Sequence, residues 1–457
     1  MAVPVFKSVY PFTQETIAEY ALLDEARLDL AVNAAARAYH VWKKTSFSTR
    51  AQIIRNVAAL LRRDKESLAT LITQEMGKVI SESRGEVEKC ALSAEYYADH
   101  AEEFLKDEII RTEYSRSFVS YEPIGIVLGI MPWNFPFWQV FRYAVPTLMA
   151  GNVVLLKHAP NTSGCSHRLE KLFQEAGAAK GVFTSLIIDT PLVEKILSMN
   201  SVQAVTLTGS DRAGSAVASL AGQHIKKSVM ELGGSDALLI LPDADMKKAA
   251  EVALQSRMIN AGQSCICAKR FIVVQEARDD FMQELLIQYQ RLQQGDPFLP
   301  QTTTGPMARQ DLVNHLVEQM NKSVLLGAKR IQGGEVSGCN FKPAILTEVK
   351  PGMPAFDEET FGPVAAVSVA ADIAEAVRLA NESSYGLSGS VWTRDIERGM
   401  EVARQMETGS VFINTLVKSD PTLPFGGTKK SGYGRELGRH GILEFVNAKT
   451  IAAQHRD

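Results

Sequence analysis

The sequence predicts an α/β protein built on a parallel sheet with helices on both faces. From Ile126 onward, short apolar runs alternate with helical stretches, which is the pattern of repeated βαβ units. The chain has 457 residues, enough for two or three domains of roughly 100–200 residues each. Its 46% hydrophobic and 22% charged residues match a chain that can bury a large core.

The first hundred residues predict mainly helices. Residues 26–42 are rich in alanine and place apolar side chains at helical spacing, and Ser48 is expected to cap a second helix. Residues 83–105 predict a third helix. The alternation within residues 109–127 instead predicts a pair of strands.

The next hundred residues predict the parallel sheet. Buried strands are expected in four apolar runs, at residues 126–131, 153–156, 185–190 and 204–210. Helices are expected between them, at residues 162–176, 192–200 and 212–220. Sheets of this kind bind ligands at the carboxyl ends of their strands. A second α/β region is expected from about residue 235 to 430.

Charge and cysteine content exclude several classes of protein. With 49 basic and 52 acidic residues the net charge is −3, which does not favour a nucleic-acid or anionic-membrane partner. The first residues lack the basic and apolar segments of a signal peptide, and no run of 18 apolar residues exists. Five cysteines in a chain of this length do not form a disulfide framework. We expect a cytoplasmic protein without a bound metal.

The common nucleotide-binding motifs are absent. No GxGxxG follows a predicted strand, and the glycine spacing of residues 209–214 lacks the following lysine of a P-loop. However, Thr208, Gly209 and Ser210 lie at a predicted strand-to-helix turn. The first turn of a helix offers free N–H groups to a phosphate, so this turn remains a candidate phosphate site.

Four short stretches carry residues suited to catalysis. They are residues 132–136 (PWNFP), 231–234 (ELGG), 262–265 (GQSC) and 358–363 (EETFGP). Together, in this order and over essentially the whole chain, they resemble the aldehyde dehydrogenase superfamily.

The resemblance implies three structural units. Residues 1–108 and 128–232 would form a Rossmann-like NAD(P)-binding domain, and residues 233–440 a catalytic domain. Residues 109–127 and 441–457 would form a small β element for oligomerisation. A homodimer or homotetramer is therefore expected.

The resemblance also assigns three catalytic residues. Cys265 corresponds to the nucleophile that adds to the aldehyde, giving a thiohemiacetal that releases hydride to nicotinamide and leaves a thioester for hydrolysis. Glu231 corresponds to the general base, and Asn134 to the oxyanion donor beside the backbone N–H of Cys265. The structural alternatives are a buried packing cysteine, a capping glutamate and a turn asparagine.

The cofactor is expected to be NAD or NADP. The positions that the resemblance assigns to it are Trp133, Lys157, Pro160, Gly209, Ser210, Leu232, Glu359 and Phe361. Among these, Lys157 corresponds to the contact with the adenosine ribose, and Gly209 and Ser210 to the pyrophosphate turn. Glu359 corresponds to the residue that holds the nicotinamide ribose.

Pro160 departs from the family pattern. Many members have a glutamate here that binds the adenine ribose diol and would repel a 2′-phosphate. With proline, the chain has neither the repelling acid nor a side-chain donor for the phosphate. We expect both nucleotides to be accepted, with a mild preference for NAD.

Three stretches look like the short succinate-semialdehyde dehydrogenase branch: residues 133–142, 155–161, and 418–420 before PFGG. The implied substrate is a small aldehyde with a distal carboxylate. An arginine offers such a carboxylate a planar bidentate partner, which Arg142 is expected to supply, while Ser419 is expected to add a hydroxyl donor.

Spacing and chemistry leave alternatives open. If Phe135 onward is helical, Arg142 lies two turns after Asn134 and shares its face; a structural ion pair is the alternative role for Arg142. Glutarate semialdehyde is an alternative substrate. A CoA-acylating enzyme would not need Glu231, and a non-catalytic structural relative would be expected to lose the nucleophile or the base.

Cys267 follows the candidate nucleophile by two residues. If the pKa of Cys265 is lowered, as expected for a nucleophile, peroxide would attack its thiolate, and Cys267 would then be a possible redox partner in a reversible disulfide. Two cysteines this close need a bent backbone, whereas residues 268–274 predict the approach to a strand. Simple packing is the alternative role for Cys267.

Overall fold

Two large sheets organise the chain, whose residues 4–454 are described in a computed structural model. The first sheet has six strands, of which five are parallel and one edge strand is antiparallel. In spatial order they are Gly432–Tyr433, Lys227–Glu231, Val202–Thr208, Ile126–Met131, Val153–His158 and Phe183–Ser185. The predicted α/β class is confirmed.

The order of this sheet creates a crevice for a ligand. From Ile126–Met131 the chain moves outward to Val153–His158 and Phe183–Ser185, then returns to the other side and places Val202–Thr208 beside the first strand. The connections thus diverge between Ile126–Met131 and Val202–Thr208. A divergence of this kind is the topological switch point at which open α/β sheets bind ligands.

Helices cover this sheet because its apolar strands are buried on both faces. They are Glu25–Trp42, Phe47–Arg63, Lys65–Met76, Ile80–Phe104, Trp138–Met149, Ser163–Glu175, Leu192–Ser198, Asp211–Gln223 and Gly438–Leu443, with a 3₁₀ turn at Pro160–Thr162. The longest, Ile80–Phe104, packs against both Phe47–Arg63 and Trp138–Met149. Its position brings charged side chains from the first hundred residues to the region around Asn134.

The second sheet has seven strands and forms the core of the later α/β region. In spatial order they are Lys329–Gln332, Ala344–Thr347, Val364–Ala370, Arg270–Val274, Ala237–Ile240, Ser388–Trp392 and Ser410–Ile413, with only the first antiparallel to its neighbour. Its helices are Met246–Met258, Arg278–Tyr289, Gln310–Leu325, Pro354–Asp357, Ile373–Asn381 and Ile396–Gln405, with 3₁₀ turns at Ile259–Gly262 and Gln275–Ala277.

A three-stranded antiparallel sheet joins distant parts of the chain. Arg116–Pro123 pairs along its full length with Val446–Ala453 and also with Glu108–Ile109. These are the segments predicted to form the oligomerisation element, and that role stays a prediction, as do the domain boundaries. Residues 1–3 and 455–457, which those boundaries include, lie outside the described residues.

Three two-stranded ribbons complete the fold. They pair Val5–Val9 with Thr16–Ala21, Val336–Ser337 with Asn340–Phe341, and Tyr385–Gly386 with Thr428–Lys429. Among residues 4–454, every helix is too short or too polar to cross a membrane.

A predicted helix cap and a predicted strand differ in position from those in the structure. The cap of helix Phe47–Arg63 is Ser46, whose Oγ accepts the N–H of Thr49, and not Ser48. The strand expected at residues 185–190 instead covers Phe183–Ser185, because this edge strand has a neighbour on one side only. Leu186 extends the pairing by one hydrogen bond, to the carbonyl of Leu156.

Candidate active site

The carboxyl ends of the parallel strands gather the residues predicted to bind the cofactor. Gly209 and Ser210 follow Val202–Thr208, and Lys157 is the penultimate residue of Val153–His158. Trp133 lies two residues beyond Ile126–Met131. All of these strands run in the same direction, so the four residues lie along one edge of the sheet.

This edge fits the phosphates and ribose of a dinucleotide. Ser210 caps helix Asp211–Gln223 by accepting the N–H of Ala213, so this helix begins at the carboxyl end of strand Val202–Thr208, beside the crevice. A Cβ on Gly214 would lie 2.4 Å from Leu232 Cδ2, so the helix approaches Leu232 closely. Lys157 is buried and has no hydrogen bond or ion pair within residues 4–454. Its burial lowers its pKa, and an anionic ligand would satisfy it.

Glu359 and Phe361 line the opposite side. The Oε1 atom of Glu359 accepts the N–H of Gly234 at 3.0 Å and lies 3.3 Å from the Nζ of Lys269. The ring of Phe361 meets that of Trp133 edge to face, with 5.8 Å between centroids. These groups enclose the space between the first sheet and the loop that carries Cys265.

The backbone before Cys265 is strained. Asn260, Ala261 and Gly262 all have positive φ, at 53°, 51° and 73°. A Cβ on Gly262 would lie 2.4 Å from the backbone of Gly362, so only glycine fits there. Non-glycine residues hold such conformations only when their surroundings impose them, which is common at functional sites.

A buried arginine imposes this conformation from one side. Arg257 donates from Nε to the carbonyl of Val364 and from Nη2 to that of Thr360, both at 2.6 Å, and also to the carbonyl of Gly362. Its Nη1 also donates to the carbonyl of Gly262 at 3.3 Å, so the guanidinium ties the residues before Cys265 to the stretch that contains Glu359. Sequence reasoning did not identify Arg257.

Asn134 fixes the loop from the other side. Its Nδ2 donates to the carbonyl of Gln263 at 3.0 Å, and its own carbonyl accepts from Asn260 Nδ2 at 2.7 Å. Glu82, from helix Ile80–Phe104, accepts the N–H of Asn260. The predicted oxyanion donor is thus joined to the loop two residues before Cys265.

The thiol of Cys265 is held in an electrostatic setting that sequence reasoning did not anticipate. Burial raises its pKa to about 12, while the charges of Arg142 and Lys269 act in the opposite direction. The expected lowered pKa is therefore wrong for this state, because desolvation of the thiolate outweighs the nearby cations. Lys269 also donates to the carbonyls of Ser264 and Cys265, at 2.9 and 2.7 Å.

Glu231 ends a central strand and lies in a buried position. Its side chain is 2% exposed, and neither carboxylate oxygen has a hydrogen-bond partner among the described residues. Burial raises its pKa well above the usual value, the charge of Glu436 raises it further, and Arg142 and Arg435 lower it. A carboxylate in such a setting is a strong base.

Arg142 lies close enough to influence the pKa of both Cys265 and Glu231. It is 2% exposed, its Nε is 2.6 Å from Glu436 Oε2, and its guanidinium lies over the ring of Phe425. The ion pair that was the alternative interpretation is therefore present, and a substrate role for Arg142 stays a prediction. Glu436 was missed by the sequence reasoning.

The expected relation between Arg142 and Asn134 is wrong. The helix begins at Trp138, so Asn134 precedes it and the two side chains do not share a helical face. Glu86 accepts the backbone N–H groups of Phe137 and Trp138 and thereby caps this helix from helix Ile80–Phe104.

Ser419 lies beside Trp138 and a lysine that the sequence did not single out. Its Oγ accepts from Trp138 Nε1 at 2.9 Å and from Lys89 Nζ at 2.8 Å. The ammonium of Lys89 lies 4.3 Å from the centre of the Trp138 ring. Arg142 acts on the pKa of Lys89, so it and these three residues form one polar cluster.

Cys267 lies in a turn rather than on a strand. Its N–H donates to the carbonyl of Ser264 at 3.3 Å, and the following strand begins only at Arg270. Its side chain is buried and burial raises its pKa. A redox role for Cys267 stays a prediction.

A Rossmann-type sheet that ends beside a partly buried cysteine and a buried carboxyl group is the arrangement of a dehydrogenase with a covalent intermediate. The chain belongs to the aldehyde dehydrogenase family, which it matches over residues 3–451.

Individual relatives show a similarity that is more specific than the family. A Synechocystis protein named probable succinate-semialdehyde dehydrogenase (NADP(+)) is 44% identical over 97% of this chain and 98% of its own. Succinate semialdehyde dehydrogenase (NAD(P)+) Sad of Escherichia coli K12 is 41% identical over 97% of each chain. The crystal structure of a Streptococcus pyogenes succinic semialdehyde dehydrogenase with NADP+ matches with a TM-score of 0.96 and 36% identity, covering 98% of this chain and 100% of that one.

Proposed function

We propose that this protein oxidises succinate semialdehyde to succinate with NAD(P), through a thiohemiacetal and then a thioester on Cys265. When bound, the nicotinamide supplies the hydride acceptor. The residues of the chain bind the aldehyde, form the covalent adduct and hydrolyse it.

Each catalytic residue has one task in this scheme. The sulfur of Cys265 adds to the aldehyde carbon, and the thiol proton leaves to solvent through water. Asn134 and the N–H of Cys265 stabilise the oxyanion, one such donor being worth about 3–4 kcal/mol. Glu231 then deprotonates the water that cleaves the thioester.

The proposed substrate rests mainly on the position of Arg142. A buried guanidinium within electrostatic reach of Cys265 suits an aldehyde with a carboxylate a few bonds away. The succinate semialdehyde names of the Synechocystis and Escherichia coli relatives support the same substrate. Glu231 argues against a CoA-acylating outcome, because that reaction does not use a hydrolytic base.

We further propose that both nucleotides are used and that NADP is preferred. The expected mild preference for NAD finds no support, since the relatives are named for NADP(+) or NAD(P)+. Lys157, which the resemblance assigns to the adenosine ribose, is a buried cation without an ion-pair partner among residues 4–454. The exposed Pro160 carries no charge to repel a 2′-phosphate. Cytoplasmic location and a homodimer or homotetramer remain part of this proposal.

The proposed substrate is tested by comparing succinate semialdehyde with glutarate semialdehyde and with butanal, an uncharged aldehyde. Wild type should have the highest kcat/KM on succinate semialdehyde. Arg142→Ala should lower its ratio to butanal by about one to two decades, which corresponds to roughly 1.5–3 kcal/mol for a charge-assisted hydrogen bond. Glu436→Gln, which frees the guanidinium of Arg142 from its ion pair, should not lower the ratio. Equal losses on both substrates in Arg142→Ala would make Arg142 a structural residue only.

A further inference from the structure

The ion pair between Arg142 and Glu436 leaves an electrostatic problem for the proposed substrate. The guanidinium and the carboxylate lie 2.6 Å apart and are both buried, so their charges largely cancel. An incoming succinate semialdehyde carboxylate would meet a neutral pair. An additional cation is needed to balance that charge inside the protein.

We propose that Lys89 is this cation and that it is a specificity-determining residue, binding the distal carboxylate of the aldehyde together with Ser419 and Arg142. This inference rests on the proposed function and extends it to a residue that no sequence motif identified. Lys89 lies on helix Ile80–Phe104, far from the other site residues in sequence.

The partners of Lys89 leave its charge unbalanced. Within the described part of the chain, its ammonium donates one hydrogen bond, to the neutral hydroxyl of Ser419, and has no carboxylate within ion-pair distance. The nearby acids are engaged elsewhere: Glu86 pairs with Lys78, and Asp420 accepts the N–H and hydroxyl of Thr422.

Ser419 gives a second, independent indication of an anionic ligand. Its buried hydroxyl oxygen already accepts from two donors, Lys89 Nζ and Trp138 Nε1. Its own O–H has no acceptor among residues 4–454. A buried hydroxyl in this state needs an acceptor, and a carboxylate oxygen between Ser419 and Lys89 would satisfy both groups.

The lowered pKa of Lys89 fits a site that holds a carboxylate only while the substrate is bound. Burial lowers its pKa to about 8, Arg142 lowers it further, and Glu86, Asp420 and Cys90 oppose the shift. The amine is charged below this pH and neutral above it. The kcat/KM ratio of succinate semialdehyde to butanal should therefore fall as the pH rises through about 8. In Lys89→Arg, whose side chain stays charged, the ratio should remain flat.

Variants of Lys89 provide the test. Lys89→Met should lower kcat/KM for succinate semialdehyde about tenfold to a hundredfold and change that for butanal by less than about threefold. It should weaken competitive inhibition by succinate to the same extent, and Lys89→Arg should restore most of both losses. Lys65→Met, which removes an ammonium paired with Glu88 on the protein surface, is the matched control and should change nothing.

The outcomes separate this inference from the proposed function. A wild type that prefers succinate semialdehyde, with a Lys89→Met variant that keeps the same preference and the same succinate inhibition, would overturn the role of Lys89 alone. A wild type without any preference over butanal would overturn the proposed substrate and the role of Lys89 together. Equal losses on the two aldehydes in Lys89→Met would reduce Lys89 to a structural residue.

Discussion

Two buried carboxyl groups, those of Glu231 and Glu436, lie within electrostatic reach of Arg142. Burial raises the pKa of both, and Arg142 lowers both. The charge of Glu436 adds to the rise at Glu231, so the candidate base is set partly by a residue more than 200 positions later in the chain. Sequence reasoning identified Glu231 from its motif but had no signal for this coupling.

The coupling predicts a shift in the pH dependence of turnover. Catalysis needs unprotonated Glu231, so kcat should rise with pH through a pKa well above the usual glutamate range. Glu436→Gln removes the charge that raises this pKa and frees Arg142 to lower it. The rise in kcat with saturating butanal should therefore move to lower pH, by roughly one unit, or about 1.4 kcal/mol.

Exposed Glu122→Gln is the control for this measurement and should leave the profile unchanged. A shift to higher pH in Glu436→Gln, or no shift, would contradict the coupling.

The residue at position 160 provides a prediction about the choice between NAD and NADP. Pro160→Glu should lower the NADP/NAD ratio of kcat/KM by roughly tenfold, because a carboxylate near the ribose would repel a 2′-phosphate and accept bonds from a free diol. Pro160→Gln has the same size without the charge and should change the ratio far less. An unchanged ratio in both variants would show that this turn does not approach the ribose.

At the scale of single elements, helix Ile80–Phe104 links parts of the site that lie far apart in sequence. Glu82, Glu86 and Lys89 recur at helical spacing on it. They contact the loop before Cys265, the helix that carries Arg142, and Ser419. The helix itself was predictable from periodicity. Its role was not, because the partners of these charges come from segments 50 to 330 residues later.

Two other elements were not predicted because the local sequence carries no signal for them. Helix Lys65–Met76 begins directly after Phe47–Arg63 with only Asp64 between them, so no loop residues marked the break. The ribbon of Val5–Val9 and Thr16–Ala21 was missed as well. Its strands are mostly solvent-accessible, and their one fully buried side chain, Ser8, is polar and donates to Glu75. The sequence therefore shows no alternation of apolar residues that would predict these strands.

The loop that carries Cys265 and Cys267 supports a prediction about oxidation. Its backbone turns between Ser264 and Cys267, but burial raises the pKa of both thiols, which disfavours the thiolate that peroxide attacks. We therefore expect Cys267 to serve mainly in packing. After mild peroxide and then dithiothreitol, wild type and Cys267→Ser should recover activity equally. Recovery confined to wild type would instead establish Cys267 as the redox partner.

At the scale of the whole molecule, the sequence predicted the class of fold and the family because both depend on repeated or contiguous signals. Apolar runs indicated the parallel sheet, and four short motifs indicated the chemistry. The electrostatics of the site were not predictable, because the raised pKa of Cys265 and the ion pair of Arg142 with Glu436 arise only when segments far apart in the chain pack together. The oligomerisation role of the three-stranded sheet remains a prediction.

The most direct test of the account is the mass of the enzyme trapped during turnover. Glu231→Gln, mixed with succinate semialdehyde and NADP and then quenched, should carry one succinyl group as a thioester on Cys265. An equal amount of NADPH should form in a burst before a much slower steady state. Cys265→Ala should give neither adduct nor burst. NADPH formed without an adduct, or an adduct on another residue, would contradict the covalent mechanism, and loss of the burst in Glu231→Gln would contradict the role of Glu231 in hydrolysis.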